Sequence, residues 1–163
     1  MRPSRTAPAP QRLPFTLRGG YFSGMTEAES VWNGRLAPGL EEFELLGRRA
    51  FASLPEEFRT LAGEITIAVA EFPEDDVVDE LKAESPFDIL GLFEGVGLAH
   101  AEATPATGTW PNRIWLYRRP ILDYWAEHEE SLGAIVTNVL IHEIGHHFGL
   151  SDEDMEALED AAG

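Results

Sequence analysis

In LGAIVTNVLIHEIGHHFGLSD, residues 132–152, apolar side chains recur at Ile135, Val136, Val139, Leu140 and Ile144 with a helical period, and three histidines stand near the end. The period predicts one long helix over 132–148, apolar enough to lie at the centre of a fold. Gly149 suits the left-handed residue that stops such a helix. His142 and His146 are four apart, so they share a helix face and can bind one cation together. Glu143 lies next to that face, where it can touch a water on the metal rather than the metal itself. A turn at Gly149 can bring Asp152 back to the same ion. Two imidazoles, one carboxylate and an open fourth position make a catalytic rather than a closed structural zinc site. A bare H-E-x-x-H arises in roughly 2 of 100 shuffles of this composition, and the form extended by Gly and by Asp or His in about 1 in 10,000. The extended pattern is therefore the informative one.

The residues around this segment set the fold class. Phe43, Leu46, Ala50 and Leu54 predict a first amphipathic helix from near Leu40, with Glu41, Glu42 and Glu44 in its opening turn and Pro55 closing it. Strands are expected at 64–70, where β-branched residues cluster, and at 113–118, which is read as ending at Pro120. The segment 89–96 carries Gly91 and Gly95 and reads as a short strand with a bulge. A short acidic helix is expected over 75–82, a loop over 104–111, a helix over 121–130 and a last acidic helix over 152–161. Helices and strands are partly segregated, which predicts an α+β fold with a small mixed or antiparallel sheet and the H-E-x-x-H helix at its centre.

Length and composition bound the rest. At 163 residues the chain has room for one modest core. Residues 1–24 read as a flexible Pro/Arg-rich arm and 25–163 as a single domain. The arm has no apolar run of the length a secretory signal needs, so a cytoplasmic location is expected. No apolar run approaches a membrane span. There is no Cys, so any metal must be held by His and carboxylate. The formal charge is −17, and residues 121–163 hold 11 acidic residues and no Lys or Arg. That field repels phosphate backbones, so nucleic acid is not an expected partner.

HEIGHHFGLSDEDM, with Leu54-Pro55-Glu56-Glu57-Phe58, Leu90-Gly91-Leu92-Phe93-Glu94-Gly95 and Ile114-Trp115-Leu116-Tyr117-Arg118-Arg119-Pro120, resembles a family of small bacterial zincin-like metallopeptidases, minimal matrixin-like or metzincin-like domains. The resemblance covers about residues 40–155. It implies His142, His146 and Asp152 as ligands of one catalytic Zn2+ and Glu143 as general base. Met155 follows too closely on Asp152 to be the methionine turn of metzincins. Glu156 and Glu159 are the other candidates for the third ligand. A thermolysin-type site takes its Glu from a separate helix, commonly about 20 or more residues on, so Asp152 is favoured.

Of the remaining candidates, His147 is about 100° round the helix from His146 and is read as a packing or hydrogen-bonding residue. Asn138 is a candidate to orient a ligand, and Tyr117 and Tyr124 are read as packing aromatics rather than oxyanion donors. His100 and His128 receive no role. The expected activity is hydrolysis of peptide bonds by a metal-activated water. The substrate would be a neutral or basic peptide or protein segment, extended along the 89–96 edge. The alternative is a zinc-stabilised binding or regulatory module of little activity. A metal-dependent ribonuclease, the third possibility, is disfavoured by Glu143, Asp152 and the acidic charge. A site of this type would also accept Co, Ni or Fe.

Overall fold

The computed structural model describes residues 31, 33–95 and 112–162. Contacts divide the chain after Leu36, and the architecture below is that of the unit from Ala37 onward. The proposed arm over 1–24, the 104–111 loop and His100 lie outside the described residues.

The elements are α1 (Leu40–Ser53), α2 (Glu56–Ala62), β1 (Ile65–Ala70), α3 (Asp75–Leu81), a 3-10 turn (Pro86–Asp88), β2 (Gly91–Glu94), β3 (Asn112–Tyr117), α4 (Arg118–Glu127), α5 (Leu132–Phe148) and α6 (Asp152–Ala162). The fold is α+β: among the described residues this unit has six helices and one mixed three-stranded sheet in the order β1-β3-β2. β3 is central, parallel to β1 with Ile67 opposite Ile114, and antiparallel to β2 with Phe93 opposite Ile114. No helix among the described residues is long and apolar enough to cross a membrane.

Period-two alternation sends Ile67, Ile114 and Leu116 to one face of the sheet, where they meet Phe43 of α1 and Val136, Leu140 and Ile144 of α5 in a continuous core. Gly47 lets α1 approach this face closely: a Cβ there would fall 2.8 Å from Cγ2 of Ile67 and 2.9 Å from Cδ1 of Leu116. α5 is buried at Ile135, Val136, Val139, Leu140, Ile141, Ile144 and Gly145, which is more than one stripe. It packs against α1, α4, α6, β2 and β3, and this is why its sequence is apolar over most of its circumference.

Both ends of α5 are defined by local chemistry. Oγ of Ser131 accepts the Ala134 N–H at 3.1 Å and caps the start. At the other end Gly149 has φ 72°, and the Leu150 N–H donates to the Gly145 carbonyl at 2.9 Å, closing the helix with a left-handed turn. Two residues later Ser151 precedes the first residue of α6. Its Oγ accepts the Asp154 N–H, and the Asp154 carboxylate accepts the Ser151 N–H in return. The Ser151 hydroxyl, which donates to that carboxylate at 2.7 Å, and then the Ser151 N–H hold the Asp154 carboxyl below the usual carboxylate range.

Several boundaries differ from the sequence reading. α2 was not expected. β3 passes directly into α4 at Arg118, three residues before the expected helix start, with Pro120 inside the first turn. Proline is tolerated there because the first N–H groups of a helix have no intrahelical partner. The second strand is only Gly91–Glu94, and α4 ends at Glu127 rather than at 130.

Candidate metal centre

The last two turns of α5 carry the site. His142 and His146 stand one turn apart with ring centres 5.8 Å from each other and an interplanar angle of 38°, and both side chains are exposed. Nε2 of His142 lies 2.8 Å from Oε1 of Glu159, a residue of α6. Asp152, the expected third ligand, is the exposed first residue of α6, and no hydrogen bond or ion pair of the described residues joins it to either imidazole. The structure thus brings His142, His146 and Glu143 to one place and sets Glu159, not Asp152, on His142. Among the described residues, no three His, Asp or Glu side chains are gathered closely enough to hold an ion as they stand.

Glu143 is fixed from the sheet. Its Oε2 accepts the N–H of Phe93 in β2 at 3.0 Å. The Tyr117 N–H donates to the Leu90 carbonyl across the β2–β3 ladder, so residues 90 and 92 face β3 and the amides of Gly91 and Phe93 face away from it. The Phe93 amide therefore belongs to the free edge of the sheet, and Glu143 occupies it. At that point the edge expected to pair with substrate is already held by Glu143. Burial raises the Glu143 carboxyl above the usual carboxylate range, while the Phe93 amide and the two imidazoles pull it back. A half-buried carboxylate with a raised pKa, hydrogen-bonded on one oxygen, is poised to take up a proton.

Gly91 makes this contact possible. A Cβ at Gly91 would lie 2.6 Å from Cγ1 of Val139, 3.1 Å from the Trp115 carbonyl oxygen and 3.2 Å from Cγ of Glu143. A stiff β-branched side chain and a backbone atom cannot both give way. Gly91→Ala is expected to cost about 1–3 kcal/mol by overpacking and to push β2 off Glu143. Urea denaturation with the amide signal of Phe93 followed by NMR checks this. An unchanged midpoint together with an unchanged amide shift would reject the close approach.

His142, Glu143 and Glu159 line one end of a cavity of about 480 Å³ whose apolar wall includes Leu90, Ile135 and Val139, with Asn138 and Tyr124 also reaching it. The other candidates are placed as follows. His147 stacks on Phe93 with ring centres 3.8 Å apart and its Nε2 is buried without a partner. Burial lowers its pKa, so it packs as a neutral ring between α5 and β2. Tyr117 is buried, and its hydroxyl is pushed up to about 12, first by burial and then by Glu143, Glu94, Glu74 and Asp76, so it stays protonated. Tyr124 stacks on His128 at 3.7 Å, and the Nδ1 of that histidine is hydrogen-bonded with the Tyr124 carbonyl.

The donor types suit zinc: two imidazoles on one face and carboxylates on the helix packed against it. With Zn–N bonds of about 2 Å, two imidazoles on one ion have ring centres about 5 Å apart, so a small side-chain rotation brings the pair to one cation. The H-E-x-x-H segment thus stands on a helix packed on a small mixed sheet, with a glutamate held beside paired imidazoles. The sequence model of the family described as zincin-like metallopeptidase matches residues 62–162, more than half of the chain. The chain belongs to the zincin-like metallopeptidase family. Membership points to zinc-dependent peptidase activity and to zinc as the ion the family typically binds. Comparison with curated proteins returns no match.

Proposed function

We propose that this chain hydrolyses peptide bonds, with zinc held by His142 and His146 together with the carboxylate of Asp152, and with Glu143 as general base. The observation that carries the proposal is the position of Glu143. It is half-buried, fixed by the Phe93 amide at 3.0 Å, and it lines the cavity next to His142. Zinc at such a donor set supplies Lewis-acid polarisation of water and of a scissile carbonyl. Glu143 then removes the water proton through its raised-pKa carboxylate and delivers it to the leaving amine. Its hydrogen bond to Phe93 keeps one oxygen engaged and the carboxylate plane fixed while the other oxygen works. Leu90, Ile135 and Val139 exclude water from the side of the cavity and offer an apolar surface to a substrate side chain.

The acidic surroundings favour neutral or basic peptides. Among the described residues, Asp88, Glu130, Glu143 and Glu159 line the cavity, and no Lys or Arg does. In a peptide library, members with Lys or Arg near the scissile bond are expected to be cut faster than acidic members by about tenfold or more at low salt, with the ratio shrinking as salt screens the field. Faster cleavage of acidic members would reject this preference. Zinc content, measured together with library cleavage on the same preparation, tests the function as a whole. One specific observation favours the second reading, a zinc-stabilised module of little activity: the contact of Glu159 with His142.

A further inference from the structure

Asp152, Met155 and Glu159 are separated by three and then four residues, so they lie on one face of α6. Met155 fixes where that face goes. It is 1% exposed and seated on Gly145 of α5, where a Cβ would collide with its Sδ and Cγ. From the Gly149 turn, α6 therefore runs back along α5. One turn beyond Met155, Glu159 arrives opposite His142, which precedes Gly145 by three residues. Its carboxylate reaches Nε2 of His142 at 2.8 Å, with the Glu159 side chain 26% and the His142 side chain 49% exposed.

The contact lies where a metal ligand would lie. With Zn–N and Zn–O bonds of about 2.0–2.1 Å, neighbouring ligand atoms of a tetrahedral shell are about 3.3 Å apart. A separation of about half an ångström beyond the 2.8 Å contact is enough to admit the ion between Nε2 and Oε1. Two imidazoles and a single carboxylate leave one place for water and one positive charge uncompensated. A second carboxylate fills the place and neutralises the charge.

We infer that Glu159 enters the zinc shell as a second carboxylate, so that α6 caps the position at which water and substrate would otherwise bind. The inference rests on the zinc reading above and concerns the regulation of that site. The resting chain is self-capped, and a peptide gains access when Glu159 is displaced. The capped state is the zinc-stabilised module, and the uncapped state is the peptidase.

Cobalt-substituted full-length protein reads the cap without turnover. The wild type is expected to show a visible spectrum that acetohydroxamate leaves unchanged at low millimolar concentration. In Glu159→Gln the same probe shifts the spectrum at concentrations at least tenfold lower, zinc affinity falls by about tenfold or more, and peptide hydrolysis rises. Circular dichroism of both proteins, and Glu159→Asp as a shorter carboxylate with intermediate behaviour, separate uncapping from loss of the helix. An equal response of wild type and Glu159→Gln to the probe overturns the cap, and so does unchanged zinc affinity. Failure of the wild type to bind cobalt or zinc takes down the zinc reading and the cap with it, which is a different result from zinc bound at an open site.

Discussion

Glu143→Gln is expected to lower peptide hydrolysis by about 10²- to 10⁴-fold, the range that a positioned general base supplies, while zinc remains bound at wild-type stoichiometry. The substitution is nearly isosteric. Its amide oxygen can still accept the Phe93 N–H that Glu143 accepts at 3.0 Å, so the sheet edge stays in place. What is lost is the proton acceptor. Glutamine also removes the carboxylate whose burial raises its pKa, so the acidic limb of the pH–rate profile loses its ionising group. Hydrolysis assays on wild type and variant, each repeated in the Glu159→Gln background where the site is open, measure the effect. Retained turnover with zinc bound would reject Glu143 as the base.

His146→Ala is the second large effect, and it is read in metal binding and stability. His146 is exposed on the last turn of α5, so the alanine leaves the core of Val136, Leu140 and Ile144 untouched. Zinc affinity should fall by more than the roughly 10- to 100-fold typical of changes to groups that only support a ligand. Zinc present at 100 times its dissociation constant adds about 2.7 kcal/mol to the stability of a folded chain. For a domain of this size, 1 kcal/mol moves Tm by about 2–4 °C, so wild type should gain roughly 5–10 °C on adding zinc and His146→Ala almost nothing. A zinc-dependent rise in Tm of equal size in the variant would remove His146 from the shell.

The long helix was legible because its period and its Gly149 stop agree, and α5 spans Leu132–Phe148 as the period predicts. α2 was not, because its seven residues make too few turns for a period to show. The strand-to-helix passage at Arg118 was hidden by Pro120, which reads as a terminator unless it falls in a first helical turn. The mixed character of the sheet depends on β1 and β3 pairing across the 41 residues between Ala70 and Asn112, a relation that no local pattern encodes.

At the site, the spacing of His142 and His146 gave their common helix face directly, since an i, i+4 pair must share one. The hold of Phe93 on Glu143 left no trace in the sequence, because a backbone amide is the same at every residue. Glu159 could have been found from its place four residues after Met155 on the face of Asp152, had the seat of Met155 on Gly145 been known. The acidity of the C-terminal region, which as composition says only that nucleic acid is disfavoured, becomes specific once α6 folds back. One of its carboxylates, Glu159, then lies on His142, and two others, Glu130 and Glu143, line the cavity beside it.

The most direct measurement is cleavage of a diverse peptide library by metal-free protein before and after addition of one equivalent of zinc, followed on both wild type and Glu159→Gln. A zinc peptidase of this design is silent without metal, gains hydrolysis when zinc is restored, and gains more of it when Glu159 is replaced. Hydrolysis that persists after chelation, or zinc-loaded protein of both kinds that cleaves nothing, would contradict it.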